Sequence, residues 1–285
     1  MILLADSGST KTHWCLMTAN GQSSEFFTDG INPFLQTTDA MRNTIQLQFL
    51  PQIAHLLWAG TITHIFFYGA GCTPEKKKFV AAALQACFKK SEVCVESDMI
   101  GAVHGLLGSE AGIACILGTG ANSCYYDGKQ VVKNVPALGY ILGDEGSGAV
   151  LGKRLVADVL KNQLGDDLKE QFLSRFNVTQ ADIVEHVYRQ PFPNRYLANF
   201  SRFCADNISD PRIYKLVYNH FDYFAKRILP QYPKSPVGFV GSIAYYYQDI
   251  LKKVLCDNGF ETGKILQSPM EGMKEFHKKD IVPTT

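Results

Sequence analysis

The stretch LLADSGSTKTHW, Leu3–Trp14, joins an apolar run to a turn of small residues around one glycine. The apolar run stops at Asp6, and a lysine, Lys11, ends the turn. The next residues, Thr12–Met17, have the composition of a strand, whereas a helix would follow the lysine of a P-loop. We predict two strands joined at a tip whose backbone N–H groups, hydroxyls and ammonium bind phosphate. Taken alone, the stretch is equally compatible with an ordinary hairpin turn.

The same pattern returns later in the chain. The apolar run Ile113–Leu117 is followed by the small residues Gly118-Thr119-Gly120, a second strand at Ser123–Tyr126 and the turn Asp127-Gly128. Repetition of a supersecondary unit is stronger evidence than either copy alone. We therefore predict two lobes of related topology, whose small-residue loops face each other and hold one polyphosphate.

The rest of the chain alternates between strands and helices. A buried strand is expected at His64–Gly71. A helix is expected to start at Thr73-Pro74-Glu75, because threonine is favoured as an N-cap and proline at the first helical position. A further helix is expected to begin at Asp98, and the strand Pro236–Ser242 leads into another. This alternation predicts an α/β fold with a mainly parallel core. We place the lobes at 1–108, onto which 270–285 folds back, and 109–269.

Composition excludes several classes of protein. The chain has 285 residues and a formal charge of +1, so no global charge favours nucleic acid or an acidic membrane. It contains no apolar run of the length that spans a membrane and no secretory signal pattern. Its eight cysteines form no C-x-x-C pair, which disfavours metal ribbons and redox motifs. We expect a reduced, cytoplasmic protein.

Two carboxylates follow predicted strands. Asp6 could hold a hydrated Mg²⁺, which prefers few protein ligands and several waters. Asp98 could accept a hydroxyl proton as a phosphoryl group arrives. A helix N-cap is the plainer interpretation of Asp98, because aspartate is favoured there.

Three further stretches are candidates for ligand contact. The sequence ALGYILGDEGSG is rich in glycine and contains Asp144 and Glu145. These two carboxylates could bind sugar hydroxyls or a metal, or they could interact favourably with the N-terminal end of a helix dipole. Gly241, before Ser242, has no Cβ and would let a planar base lie against the backbone. Helix capping also explains this pair. Asn32, in GINPF, offers an amide, and an ordinary loop residue is the plainer interpretation.

In this order, the stretches resemble the actin/hexokinase/Hsp70-type ATPase superfamily. DSGSTKT is similar to its first phosphate motif, ILGTGANS to its second, and GFVGSIAYY to its adenosine motif. Within the superfamily, GYILGDEGSGAVLG, GINPF and ESDMIGA resemble the family that groups N-acetylglucosamine kinases with the BadF/BadG/BcrA/BcrD-type ATPases. The resemblance implies a two-lobed ribonuclease H-like (actin-like ATPase) fold, with a mixed five-stranded sheet and helices in each lobe.

The resemblance also implies roles for individual residues, with ATP and Mg²⁺ as cofactors. Asp98 would be the catalytic base, and Asp6 would position Mg²⁺ through water. The residues assigned to the phosphates are Ser9, Thr10, Lys11, Thr119 and Gly120, and those assigned to adenosine are Gly241 and Ser242. The residues assigned to the sugar are Asn32, Asp98, Gly139, Tyr140 and Asp144.

The activity expected from the resemblance is ATP-dependent phosphorylation of an amino sugar, first of all N-acetylglucosamine at its 6-hydroxyl. N-acetylmuramic acid, glucosamine or another hexosamine stays open as the acceptor. A different class, an ATP-driven activator of a dehydratase, would need paired cysteines for an iron–sulfur cluster, and a sugar sensor without turnover is the third alternative. We expect a small-molecule sugar as the partner and neither nucleic acid nor a membrane, and a homodimer stays open.

Overall fold

The computed structural model describes residues 1–8 and 10–281, which form two compact units. Unit 1 contains Met1–Ser109 and the segment that begins at Ser268, and unit 2 is Glu110–Gln267. Among the residues described, no helix combines the length and hydrophobicity needed to cross a bilayer.

Unit 1 is built on a mixed five-stranded sheet. Its strands are β1 (Ile2–Ser7), β2 (Lys11–Met17), β3 (Ser23–Asp29), β4 (His64–Gly69) and β5 (Glu92–Ser97), in the order β3-β2-β1-β4-β5. The first three strands form antiparallel hairpins, whereas β4 and β5 run parallel to β1. The strand predicted after Lys11 is confirmed.

The helices of unit 1 connect and cover these strands. They are α1 (Thr38–Thr44), which continues through a π-helical turn (Ile45–Phe49) into α2 (Leu50–Ile53), a 3-10 turn (Leu57–Ala59), α3 (Lys77–Cys87), α4 (Asp98–Leu106) and α14 (Met270–Ile281). The expected helix start at Thr73 is wrong. The Thr73 carbonyl instead accepts the Lys76 and Lys77 N–H groups in a turn, and α3 begins only at Lys77.

The central strand β1 is buried on both faces, as its apolar run Ile2–Ala5 requires. On one face Leu3 and Ala5 belong to a core that includes Trp14, whose ring stacks on Phe49 at 4.3 Å between centroids. On the other face, Ile2 and Leu4 belong to a core completed by methionines of α14. Each fully buried aliphatic side chain contributes about 1.5–3 kcal/mol to stability.

Helices α4 and α14 touch through their backbones. A Cβ on Gly272 would lie 1.9 Å from the Gly105 carbonyl oxygen, so only glycine fits there. Beneath the pair, the buried Tyr68 hydroxyl hydrogen-bonds with His104 Nδ1 at 2.9 Å and with His277 Nε2 at 2.8 Å. The Tyr68 hydroxyl therefore links both helices to β4 through hydrogen bonds.

Unit 2 repeats the sheet of unit 1. Its strands are β6 (Gly112–Leu117), β7 (Ala121–Tyr126), β8 (Val131–Asn134), β9 (Val237–Val240) and β10 (Thr262–Leu266), in the order β10-β9-β6-β7-β8. The strands β6, β7 and β8 are antiparallel neighbours, and β9 and β10 run parallel to β6. The strand order and directions match those of unit 1, so the predicted duplication and the mixed five-stranded sheets are confirmed.

The long connection between β8 and β9 is helical. It contains α5 (Gly139–Leu142), α6 (Gly148–Leu160), α7 (Asp166–Phe176), α8 (Gln180–Arg189), α9 (Pro193–Asn199), α10 (Ser201–Asp206), α11 (Pro211–Arg227) and a 3-10 turn (Leu229–Gln231). Helices α12 (Ser242–Tyr246) and α13 (Gln248–Asp257) precede β10. Helix α6 approaches α9 closely, because a Cβ on Gly152 would lie 1.8 Å from the Leu197 carbonyl oxygen.

Candidate active site

In unit 1, the carboxyl ends of three parallel strands lie level with one another. Ser7 of β1 is in register with Gly69 of β4, which is in register with Ser97 of β5. Asp6 precedes the end of β1, and Asp98 follows β5 as the first residue of α4. The two carboxylates are thus brought to one edge of the sheet, where ligands of open α/β sheets bind.

These two carboxylates are partly buried and influence each other. Burial and the charge of Asp98 together raise the pKa of Asp6 to about 7, although Lys11 opposes both effects. Burial also raises the pKa of Asp98 to about 6, although the Met99 N–H donates to its carboxylate at 2.9 Å. The N-cap of α4 is Ser97, so capping does not account for Asp98.

The same pair suits a hydrated divalent cation. Within the described part of the chain, no three His, Cys, Asp or Glu side chains are grouped as a metal cluster. Mg²⁺ does not require such a cluster, because it keeps several waters and takes one or two carboxylates together with substrate phosphates. Two partly buried carboxylates whose pKa values are raised would be stabilised in their ionised forms by a nearby cation, so the donor set fits Mg²⁺.

A buried hydroxyl positions the loop that carries Asn32. Ser7 Oγ donates to the Ile31 carbonyl and accepts the Ile31 N–H, both at 3.0 Å, and lies 2.6 Å from Thr12 Oγ1. The Asn32 side chain is almost entirely buried, and its Oδ1 accepts the Phe34 N–H at 2.9 Å. A serine at position 7 therefore anchors the loop to the end of β1.

The Asn32 side chain also lies against the turn after β4, a contact that no sequence motif predicted. Gly71 has a φ of +78°, and a Cβ there would lie 2.4 Å from Asn32 Oδ1. The sequence GAGC gave only the signal of two close glycines after a strand. Gly71 is thus required both by its backbone conformation and by the close approach of the Asn32 amide.

The first predicted phosphate loop lies between β1 and β2. The Gly8 N–H donates to the Lys11 carbonyl, and the Gly30 N–H donates to the Thr10 carbonyl, both at 3.0 Å. The Lys11 ammonium lies 4.4 Å from the centroid of the Phe27 ring. Ser9, which was also assigned to the phosphates, lies outside the described residues.

The second predicted phosphate loop is built into the start of α6. The Gly118 N–H donates to the Gly120 carbonyl at 2.9 Å. The carbonyls of Gly118 and Thr119 accept the Gly148 and Ala149 N–H groups at 2.8 and 3.0 Å. The loop is consequently held by the first turn of a helix.

The residues assigned to adenosine lie beside this second loop. Val240 of β9 is in register with Ile116 of β6, so Gly241 and Ser242 leave the sheet next to the loop. Gly241 has a φ of +120°, and a Cβ there would lie 2.4 Å from the Leu117 carbonyl oxygen. Packing against β6 is therefore sufficient to require this glycine, and its assignment to adenosine stays a prediction.

Asp144, assigned to the sugar, also contacts the second loop. A Cβ on Gly120 would lie 3.2 Å from Asp144 Oδ2, and the Ala121 N–H donates to the carboxylate. Burial raises the pKa of Asp144 to about 6, against the effect of that hydrogen bond. Gly139 and Tyr140, assigned to the sugar as well, form the start of α5, and the Lys153 ammonium donates to the Tyr140 carbonyl at 2.6 Å.

A buried histidine supports the same region, and no sequence motif pointed to it. His220 of α11 is 1% exposed and hydrogen-bonds with the backbone of Gly146 and Ser147, directly before α6. Its Nε2 has no hydrogen-bond partner among the described residues. Burial, helped by the charge of Arg154, lowers the pKa of His220 to about 3.

We expect His220 to make the protein less stable as the pH falls. Because its pKa is lower in the folded chain than in the unfolded one, its contribution is complete above about pH 6.5 and is lost as the pH falls toward 3. At pH 5 the loss is about 2 kcal/mol in the free energy of unfolding. Denaturant titrations at pH 7 and pH 5 should show that His220→Gln loses less stability on acidification than the wild type. An equal loss of stability in both proteins would show that His220 is not the source of this pH dependence.

Comparison with solved structures identifies the family. A proposed N-acetylglucosamine kinase from Porphyromonas gingivalis is 45% identical to this chain, with a TM-score of 0.94 over 99% of this chain and 100% of that one. This chain belongs to the N-acetylglucosamine kinase-like family. No protein-family model matches the chain, and no curated protein does either.

More distant structures share the fold of this N-acetylglucosamine kinase-like chain. A proposed N-acetylglucosamine kinase from Chromobacterium violaceum is 16% identical, with a TM-score of 0.73 over 97% of this chain and 99% of that one. MreB 5 of Spiroplasma citri, solved with AMPPNP, is 10% identical, with a TM-score of 0.59 over 98% of this chain and 96% of that one. The actin-like fold implied by the sequence motifs is thereby confirmed.

Proposed function

We propose that this protein transfers the γ-phosphoryl group of ATP to an amino sugar, N-acetylglucosamine at its 6-hydroxyl. The observation that carries the proposal is the pair Asp6 and Asp98 at the carboxyl edge of the unit 1 sheet. A carboxylate whose pKa lies near 6 is ionised at neutral pH and is more basic than an ordinary aspartate. The 45% identity to a proposed N-acetylglucosamine kinase supports the choice of acceptor.

Asp98 is the general base of the reaction. It accepts the proton of the sugar hydroxyl as that oxygen bonds to the γ-phosphorus, while the bond from this phosphorus to the β–γ bridging oxygen breaks and ADP leaves. Asp6 would hold a hydrated Mg²⁺ through water, and the ion would supply positive charge to the phosphate oxygens. The Asn32 amide donates hydrogen bonds to, or accepts them from, the sugar hydroxyls next to Asp98. Its burial and its fixed position suit it to this role.

The remaining assignments concern ATP and the sugar. The residues proposed to bind the phosphates are Ser9, Thr10, Lys11, Thr119 and Gly120. Gly241 and Ser242 contact adenosine, and Gly139, Tyr140 and Asp144 contact the sugar. The contact between Asp144 and the second loop supports a role for Asp144 in orienting that loop as well.

A coupled assay of ADP release across N-acetylhexosamines tests the proposal. N-acetylglucosamine should give the highest kcat/KM, and the product should carry its phosphate on O6. ADP release that does not depend on added sugar, or phosphate on another oxygen, would contradict it. Omitting Mg²⁺ should abolish turnover, because the phosphates would then lack a counter-charge.

A further inference from the structure

One face of α11 contacts the turn that begins at Asp144 and leads into α6. Three residues of α11, His220, Phe224 and Arg227, follow one another at the i, i+4 and i+7 spacing that places side chains on the same face of a helix. Each of them meets the turn at a different point. The helix therefore supports the turn along its length.

The first two contacts hold the backbone of the turn. His220 hydrogen-bonds with the backbone of Gly146 and Ser147. Gly146 has a φ of +85°, and a Cβ there would lie 3.2 Å from Cδ2 of the buried Phe224 ring. The ring thus packs directly on the glycine, and the second half of the turn is fixed against α11.

The third contact is an ion pair with a nearly buried carboxylate. The Arg227 Nε lies 2.8 Å from Glu145 Oε1, and the Glu145 side chain is 10% exposed. A carboxylate in such a place is costly to leave unpaired, because little water reaches it. The Arg227 side chain is itself 56% exposed, so the expected effect of the pair is moderate.

Asp144 depends on this turn for its conformation and its charge. It has a φ of +54°, which is uncommon for a residue with a Cβ. Its N–H donates to the Ala137 carbonyl at 2.8 Å, and its carbonyl accepts the Ser147 N–H at 3.0 Å. Burial raises the pKa of its carboxyl group, and the charge of the adjacent Glu145 adds to this effect. An unpaired Glu145 would therefore disturb the residue that is proposed to meet the sugar.

We propose that Arg227 is a positioning residue for the acceptor sugar, which through its ion pair with Glu145 holds Asp144 in the conformation that meets the sugar hydroxyls. The inference rests on the proposed function, in which Asp144 contacts the sugar. Arg227 acts through Glu145 and not by contact with the sugar. Its loss should consequently change the KM for the sugar, whereas kcat and the KM for ATP should stay close to their wild-type values.

The test measures kcat, the KM for N-acetylglucosamine and the KM for ATP. We expect Arg227→Met to raise the KM for the sugar about 3- to 10-fold and to leave the other two constants within about twofold. Arg227→Lys should raise the KM for the sugar less than Arg227→Met, because an ammonium can pair with the same carboxylate.

The neighbouring lysine provides a matched control. Lys226 also lies in the last turn of α11, where a cation interacts favourably with the helix dipole, but its Nζ pairs with Asp222 at 2.7 Å. Lys226→Met therefore removes a cation and an ion pair from the same turn of the helix without touching Glu145. It should leave all three constants unchanged.

A double variant shows whether Arg227 acts through Glu145. If the harm comes from an unpaired carboxylate, removing its charge should relieve that harm. Glu145→Gln combined with Arg227→Met should then have a lower KM for the sugar than Arg227→Met alone. A double variant whose KM is equal to or higher than that of Arg227→Met would overturn the inference.

The outcomes separate this inference from the proposed function. If the wild type phosphorylates N-acetylglucosamine and Arg227→Met keeps the wild-type KM for it, the positioning role is overturned and the kinase stands. A loss confined to kcat, or an equal rise in the KM for ATP, overturns the positioning role as well. If the wild type phosphorylates no amino sugar, both are overturned. Thermal unfolding of each variant verifies that the protein is folded.

Discussion

Replacing Asp98 by asparagine should reduce kcat by about 10²–10⁴-fold, the contribution of a positioned general base. Asparagine keeps the shape of the side chain and the oxygen that accepts the Met99 N–H, so the start of α4 should be preserved. What is lost is the site that accepts the proton of the sugar hydroxyl. Steady-state kinetics with saturating ATP measures the decrease.

Binding measurements separate this loss from a loss of substrate. Isothermal titration of Asp98→Asn with N-acetylglucosamine should give an affinity close to that of the wild type, because the amide can still hydrogen-bond with the hydroxyl. A variant that keeps kcat within about tenfold of the wild type would remove Asp98 from the role of base. A variant that no longer binds the sugar would make Asp98 chiefly a binding residue.

Replacing Gly241 by alanine should lower the free energy of unfolding by about 2–4 kcal/mol. Its φ of +120° is strained for any residue with a Cβ, and the added carbon would lie 2.4 Å from the Leu117 carbonyl oxygen. Neither the end of β6 nor the start of α12 can stay in place, so the second loop should shift and the affinity for ATP should fall. Denaturant unfolding and nucleotide titration measure the two effects.

A second glycine at the same edge provides the control. A Cβ on Gly118 would meet no atom within 4 Å, so Gly118→Ala should change stability by less than about 1 kcal/mol. If Gly241→Ala is as stable as Gly118→Ala, the close approach of β9 to β6 is not the reason for the glycine at position 241.

The duplicated sheet was accessible from the sequence because its signals are local. An apolar run, a turn of small residues and a second strand appear twice, and both copies fold into hairpins around a central strand. The start of α4 at Asp98 was predicted for the same reason, since a strand and a helix meet there in adjacent residues. The mixed five-stranded sheets were expected from the family resemblance rather than from periodicity, and the order of their strands was not predicted.

Residues whose importance depends on distant neighbours were not predictable. Gly71 is constrained by Asn32, and His220 hydrogen-bonds with the backbone before α6, so the stretch around each residue does not reveal its role. The helix start at Thr73 was predicted wrongly, because Pro74 suits a tight turn as well as the first position of a helix. That turn is what places Lys76 over the Phe34 ring, a contact between two stretches far apart in sequence.

The position of α14 in the chain has a consequence for synthesis on the ribosome. The face of the first sheet that contains Ile2 and Leu4 is covered by Met270 and Met273, which are translated only after all of unit 2. The usual order, in which the N-terminal part folds first, is therefore reversed. Unit 2 can finish as a continuous segment, while the earliest strands keep an apolar face open until the last helix emerges.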